Sequence, residues 1–333
     1  MTEPATIRLE PSGDSFTCSP GETILRAGLA AGLAMPYECA SGSCSSCKGR
    51  LFEGAVDHIW ADAAGLSERD RRKGDRILCC QALPQGDCTV QVRLGEVEGA
   101  REEPRPATFT ATVETLERPI PSVIAFNCRP AQPVPFLPGQ YVLLQVPGGE
   151  RRAFSMANTE AETLAFIVKE KPGGHASRYL FEDLAIGDTV SLEGPYGRAY
   201  LRIPQEREMV CVAGGSGLAP ILSVIEGALA RPDMPGIRLF FGANTAEELF
   251  MVDEMRALEA AHDRFSLTLA VRDGGALGAA TGLVGDVALA AMEELDECDF
   301  YMAGPPGLID ALLRPVMRSR KARPERIFFD RFY

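Results

Sequence analysis

Residues 37–49 read YECASGSCSSCKG and place three thiols, Cys39, Cys44 and Cys47, on a C-x4-C-x2-C spacing. Thiols this close together close disulfides, hold a metal ion, or hold a metal cluster. Between them stand Ala40, Ser41, Gly42, Ser43, Ser45 and Ser46. Residues that small let backbone N–H groups approach the sulfurs and stabilise negative charge there. A second pair, Cys79 and Cys80 in RILCCQ, is the source for a fourth thiol.

The alternatives separate on chemistry. A disulfide framework goes with export, and the N-terminus MTEPATIRLE has neither a basic n-region nor an apolar h-region. The chain is therefore expected to be soluble and cytoplasmic, with its thiols reduced. Structural zinc sites present paired C-x2-C units or Cys with His, whereas here one C-x2-C is preceded by C-x4-C. A Rieske centre needs two His ligands, and only His58 lies nearby. C-x4-C-x2-C followed by a distant Cys is the plant-type [2Fe–2S] spacing, which needs four thiolates in two pairs. Spacing alone leaves Cys79 and Cys80 open as the fourth. Cys18, Cys88, Cys128, Cys211 and Cys298 lie in strand-like or apolar surroundings and read as small core residues.

Further along, RAFS (Arg152, Ala153, Phe154, Ser155) follows the strand-like GQYVLLQV and resembles the R-x-[YF]-S motif of the ferredoxin–NADP reductase superfamily. An Arg fork suits a flavin pyrophosphate. An aromatic packs on the isoalloxazine, and a Ser hydroxyl reaches the flavin N5 edge. The resemblance thus makes Phe154 and Ser155 the candidate catalytic residues. It also sets Val168 and Lys169, at the end of TLAFIVKE, beside the flavin. KPGGHASRYL follows, where Gly173 and Gly174 open a helix with Ser177 in its first turn, a ready anion site for FAD phosphates. His175 reads as a solvated loop residue.

VAGGSGLAP lies between an apolar strand and a helix and contains Gly214, Gly215, Ser216 and Gly217, with Pro220 in the first helical turn. It is not the Rossmann G-x-G-x-x-G but resembles the G-G-[ST]-G-x-x-P of the same superfamily. AGPPG, with Gly304 and Pro305, resembles the C-G-P-P turn beside the nicotinamide, with Ala303 where the family has Cys. FGANTAEELF offers Asn244, Glu247 and Glu248 where the adenosine ribose should lie; acidic groups there repel a 2′-phosphate and favour NADH over NADPH.

These sites need three kinds of scaffold. IRLE, SFTC, ETILRAGLAA, KGRLFEG, RILCCQALP and CTVQVRL alternate strand and helix patterns over residues 1–96. REEPRPA is charged and proline-rich, a linker within 97–106. TFTATVETLE, GQYVLLQV, TLAFIVKE and DTVSLEG predict a small antiparallel barrel over 107–204. VCVAGG, IRLFFGA, FSLTLAV and CDFYMAG, separated by PILSVIEGALA and AEELFMVDEMRALEAAH, predict a parallel sheet covered by helices over 205–333.

At 333 residues, 46% hydrophobic and 24% charged, the chain is long enough for two or three cores. A net charge of −12 works against nucleic-acid binding. No run of 18 apolar residues is present, so no membrane span is expected. The basic run RDRRKGDR stands out in this acidic chain; it reads as a solvated loop, with docking of an electron acceptor as the functional alternative.

Together the pieces resemble the reductase components of bacterial aromatic-ring oxygenases, such as toluene monooxygenase and carbazole or naphthalene dioxygenase systems. PYECASGSC, IWADAAGLSERDRRKGDRILCCQ, GPYGRAYLR, GGSGLAPILS and IFFDRFY carry the likeness. It implies a multidomain α+β and α/β fold: a β-grasp [2Fe–2S] ferredoxin domain, a β-barrel FAD domain and an α/β NAD domain. It implies Cys80 as the fourth ligand beside Cys39, Cys44 and Cys47, because the ligand in that family precedes Gln, here Gln81; Cys79 becomes a buried thiol. The family has Gly after the second ligand, here Ser45, which bears on the loop conformation. Phe332 and Tyr333 are candidates for shielding the flavin face, with strand packing as the alternative. Electrons would pass from NADH through FAD and the cluster to an oxygenase hydroxylase component or a small Rieske or plant-type ferredoxin. Diiron and Rieske oxygenase partners are indistinguishable at this level. A redox sensor without turnover and a zinc-stabilised interaction protein are the readings outside enzymology.

Overall fold

The computed structural model describes residues 3–95, 104–273, 277–292, 298–318 and 323–333. The linker at 97–106 falls largely outside them, with only 104–106 described.

The first sheet is built from β1 (Ala5–Glu10), β2 (Ser15–Cys18), β3 (Lys48–Glu53), β5 (Arg76–Leu78) and β7 (Cys88–Gln91), in the order β2-β1-β7-β3-β5. β4 (Val56–His58) and β6 (Ala82–Pro84) form a separate pair. Strict alternation of buried and exposed residues in β1 leaves Ile7 and Leu9 in the core. Helix α1 (Ile24–Ala30) crosses this sheet. Thr23 caps it by accepting from the Arg26 amide at 3.3 Å, a contact that stabilises such a helix by about 1 kcal/mol. The basic run is not a loop. Ser67 and Asp70 make a reciprocal capping box that winds Glu68–Lys73 into a short exposed helix, α2, ended by Gly74 in the left-handed region.

The second sheet comprises β8 (Ala107–Ile120), β9 (Val123–Pro130), β10 (Tyr141–Gln145), β11 (Arg151–Ser155), β12 (Leu164–Lys169) and β13 (Thr189–Tyr196). All pairings in the order β11-β10-β13-β8-β9-β12 are antiparallel. An antiparallel bridge between Met156 and Phe166 closes the ends into a barrel. Phe126 and Phe166 pack inside it at 5.0 Å. Helix α3 (His175–Arg178) runs into a π turn at Tyr179–Asp183 and covers one mouth.

The third sheet is wholly parallel: β14 (Glu208–Gly214), β15 (Ile237–Ala243), β16 (Phe265–Val271), β17 (Ala280–Thr281), β18 (Cys298–Gly304) and β19 (Ile327–Arg331), in the order β17-β16-β15-β14-β18-β19. Helices α4 (Leu218–Leu229), α5 (Val252–Ala261), α6 (Val284–Ala290) and α7 (Pro306–Arg318) pack on it. Two apolar cores, one on each face, explain the near-continuous hydrophobic runs in β14 and β18. The predicted helix over AEELFMVDEMRALEAAH divides into a 3-10 turn at Ala246–Glu248 and α5, because Met251 takes φ 55 and interrupts the backbone between them. The sheet order reverses between β14 and β18, the point where open α/β sheets bind their ligands.

The first sheet is not independent of the barrel. Tyr141, Leu143 and Tyr196 of the barrel join the same apolar core as Ile7, Met35 and Cys80. An ion pair reinforces the junction: Arg26 of α1 lies 3.2 Å from Glu193 of β13.

Candidate functional site

Residues 37–47 run without regular structure between α1 and β3. Their geometry comes from packing: the Gly65 amide donates to the Gly42 carbonyl at 2.9 Å. A Cβ at Gly65 would stand 1.7 Å from the Cys44 carbonyl oxygen, so only glycine fits there. The left-handed residues in the loop are Ala40 (φ 49) and Gly42 (φ 88), and Ser45 is not one of them. The conformational question raised by Ser45 therefore falls on Ala40 instead.

Cys39, Cys44, Cys47 and Cys80 are all buried. They stand in two pairs. Cys44 N–H donates to Cys39 Sγ at 3.3 Å, and Cys47 Sγ lies 3.3 Å from Cys80 Sγ. Cys79 is turned away beneath β3, where a Cβ on Gly49 would meet its sulfur at 3.5 Å. Gln81 Nε2 reaches Cys80 Sγ at 3.7 Å. Hydrogen bonds from Cys44 and Ser41 bring the Cys39 thiol down to about 6, while its own donation to Cys39 and burial push Cys44 up. Hydrogen bonding to Cys47 and burial push Cys80 up as well. Paired buried thiols cannot ionise together unless positive charge sits between them, which two irons with two thiolates each would supply. The two pairs of sulfurs from Cys39, Cys44, Cys47 and Cys80 fit a two-iron cluster. All ten cysteines are free and buried.

The second site lies one strand away. β10 and β11 pair with Tyr141 opposite Ser155, Val142 opposite Phe154 and Leu144 opposite Arg152. Ser155 is buried; Phe154 is half-buried against the barrel core. Arg152 is ion-paired with Glu150, and its guanidinium lies 5.1 Å from the Trp60 ring. Glu150 also meets His175 Nδ1 at 3.0 Å. Glu150 lies in no motif, and Trp60, though inside IWADAAGLSERDRRKGDRILCCQ, gave no sign that it meets Arg152. Gly173 has φ 74, Gly174 caps α3, and Ser177 Oγ accepts from the Lys171 amide at 2.8 Å, ordering the turn. Val168 is buried at the end of β12, next to Lys169.

The third site sits at the sheet reversal. Gly214 ends β14, and Gly215–Gly217 make a 3-10 turn that leads into α4. Gly304 and Pro305 follow β18, whose Ala303 pairs with Ala213. A Cβ on Gly217 would stand 2.1 Å from the Ala303 carbonyl oxygen. Ser216 is half-exposed between these turns. Lys169 reaches across from the barrel to Glu248 at 2.8 Å, which holds that carboxyl below its ordinary range. Asn244 donates to the same carboxylate at 3.3 Å. Glu248 is thus largely neutralised, and Glu247, exposed, is the acidic group left facing outward.

Phe332 and Tyr333 part company. The Phe332 amide donates to the Gly304 carbonyl at 2.9 Å, and its ring packs on the core of the third sheet. Tyr333 turns toward the cysteine loop, its hydroxyl 3.4 Å from Glu38. A cavity of 1120 Å³ lies between the first sheet and the barrel, lined by Met35, Tyr37, Pro104, Pro135 and Arg198 among others.

Three family models match consecutive parts of the chain: a 2Fe-2S iron-sulfur cluster binding domain over residues 7–85, an oxidoreductase FAD-binding domain over 122–200 and an oxidoreductase NAD-binding domain over 211–313. The ferredoxin–NAD(+) reductase component of the alkene monooxygenase system of Xanthobacter autotrophicus is 48% identical over 96% of this chain and 98% of its own. The chain belongs to the reductase components of oxygenase systems. This reductase is an iron–sulfur flavoprotein oxidoreductase that uses [2Fe–2S], FAD and NAD. Solved structures agree along the whole length. The ferredoxin reductase in carbazole 1,9a-dioxygenase has a TM-score of 0.86 at 29% identity, covering 99% of both chains. An Amycolatopsis cytochrome P450 reductase has a TM-score of 0.84 at 31% identity, covering 98% of both.

Proposed function

We propose that the reductase takes electrons from NADH at the turns 214–217 and 304–305. They then pass through flavin held along β11 and a cluster on Cys39, Cys44, Cys47 and Cys80. An oxygenase hydroxylase component or its ferredoxin receives them one at a time. One observation carries the reading: Tyr141, paired with Ser155 across β10 and β11, donates its hydroxyl to the carbonyl of Glu38 at 2.6 Å. The flavin motif and the first cysteine are therefore separated by a single strand pairing and one hydrogen bond.

When bound, FAD accepts a hydride and the [2Fe–2S] centre carries single electrons. The chain's own part is to bind and orient. Arg152 would grip the pyrophosphate with charge-assisted hydrogen bonds, exchanging Glu150 for it. Gly173, Gly174 and Ser177 would present amides to phosphate oxygens. Phe154 would pack on the ring and the Ser155 hydroxyl would serve the hydride-accepting edge, with Val168 and Lys169 completing the flavin site. Gly214, Gly215, Ser216, Gly217, Gly304 and Pro305 would hold the dinucleotide. Glu247 disfavours a 2′-phosphate, and the Xanthobacter relative is a ferredoxin–NAD(+) reductase component. That relative belongs to a monooxygenase system, and this chain's acceptor is of the same general class. The units run 1–96, 107–204 and 205–333, joined through 97–106.

Anaerobic turnover tests this directly. NADH should reduce cytochrome c at two equivalents per NADH, with kcat/KM about several-fold above NADPH, the range a single exposed charge near the ribose supplies. Equal use of both nucleotides would overturn the NADH assignment. Absence of one-electron delivery would overturn the pathway.

A further inference from the structure

Contacts from the barrel and from the third sheet converge on Glu38, the residue immediately before Cys39. From the barrel, Tyr141 donates to its carbonyl at 2.6 Å. From the C-terminal strand β19, Arg331 Nη1 lies 3.3 Å and 3.4 Å from its two carboxylate oxygens. Ser46 Oγ donates to the same carboxylate at 3.3 Å. Arg331 holds a second carboxylate: its Nη2 lies 3.0 Å from Asp310 Oδ1 on α7, the helix that begins directly after Pro305. The guanidinium also lies 4.5 Å from the Phe329 ring. Glu38 and Arg331 side chains are each 18% exposed, so solvent and salt screen the pair weakly. A cavity of 240 Å³ beside them is lined by Glu38, Ser46, Arg202, Phe329 and Asp330, leaving room for the loop to shift if the pair is lost.

We propose that Glu38 and Arg331 form a clamp that fixes the cysteine loop relative to the flavin strand and to the nucleotide turn. The loop lacks a hydrogen-bond ladder of its own, and Ala40 sits in the left-handed region, so the loop's position depends on its tethers. Tyr141 tethers the backbone of Glu38, and Arg331 tethers its side chain. Because Arg331 also holds Asp310, the loop is tied to the helix that carries the Gly304–Pro305 turn. Both are positioning residues and touch no reacting atom. The inference rests on reading residues 37–47 as the cluster loop, and the experiment separates the two claims.

The test uses holoprotein of the full chain, with Arg331→Met, Glu38→Gln and the double variant. Wild-type protein lacking an EPR signal after dithionite would overturn the cluster reading itself. With that signal present, hydrogen exchange across residues 37–47 decides the clamp. Each single variant should exchange at least about tenfold faster there, and the double variant no faster than either single, because both remove one interaction. Bleaching of the flavin by NADH should stay within about twofold of wild type while cytochrome c reduction falls by about tenfold. Unchanged exchange, additive effects in the double variant, or equal loss of bleaching and cytochrome c reduction would each overturn the clamp. If Arg331→Met does not give stable holoprotein, Glu38→Gln, which keeps shape and removes only charge, carries the same comparison.

Discussion

At residues 37–47 the chain brings side chains to a point; at 214–217 and 304–305 it removes them. The cysteine loop works through four sulfurs, and its neighbours are small so that backbone can crowd around. The nucleotide turns work through bare backbone at the ends of two adjacent parallel strands, where the Gly217 position lies against the Ala303 carbonyl. The first site is defined by what its residues are, the second by where strands far apart in sequence come to lie. Gly65 is the exception that tests the contrast. It lies outside the cysteine motif, yet the Cys44 carbonyl leaves no room for a Cβ.

Gly65→Val and Gly217→Val should have the largest effects, since in each case the new atom meets backbone that cannot yield. Each should cost at least about 1–3 kcal/mol. Thermal unfolding and cofactor content read the outcome: Gly65→Val should lose iron first, and Gly217→Val should raise KM for NADH with iron retained. Loss of iron in both would erase the distinction between the two regions.

Arg152→Gln should come next. Loss of a charge-assisted fork is worth about 1.5–3 kcal/mol, so FAD affinity should fall by about 10–100-fold while the iron content is unchanged. Retained affinity would remove Arg152 from the flavin site.

Asp330 gives a pH-dependent test between the regions. It is buried on β19, one oxygen has no hydrogen-bond partner among the described residues, and burial together with Glu38 pushes its carboxyl up to about 7. The folded protein binds this proton more tightly than the unfolded chain, where Asp titrates near 3.8. Folding therefore takes up a proton between those values, and stability falls as pH rises through that window. Asp330→Asn should raise Tm more at pH 8 than at pH 5, by about a few degrees. An equal shift at both would show that Asp330 does not titrate there.

The smallest effect belongs to Glu247→Lys. It should improve NADPH use by about several-fold, the scale of one exposed charge, with no change in flavin or iron. No gain would mean that Lys169 and Glu248 already set nucleotide preference.

Most of this arrangement could be read from residue types. The C-x4-C-x2-C spacing, the RAFS and GGSG turns and the change from period two to alternating strand and helix are local signals, and local signals survive in a linear sequence. The capped helix at Glu68–Lys73 was also written there, in Ser67 and Asp70, but the charge of RDRRKGDR masked it. The partners of Glu38, Trp60, Glu150 and Arg331 were not legible. Glu38 meets Arg331 of another sheet, Trp60 meets Arg152 of the barrel and Glu150 meets His175 of α3, and nothing in the residue types announces these distant partners. Strand β9 escaped for a related reason: IAFNCRP is mixed in character and is fixed by barrel neighbours on both sides.

The central claim is that two pairs of thiols, completed by Cys80 and not Cys79, hold the one-electron centre. Cys79→Ala and Cys80→Ala, purified without oxygen, reduced with dithionite and compared by EPR with iron quantified, test it most directly. The account predicts an unchanged signal in Cys79→Ala, and loss of both signal and iron in Cys80→Ala with NADH still bleaching the flavin. A signal that persists in Cys80→Ala and vanishes in Cys79→Ala would contradict it.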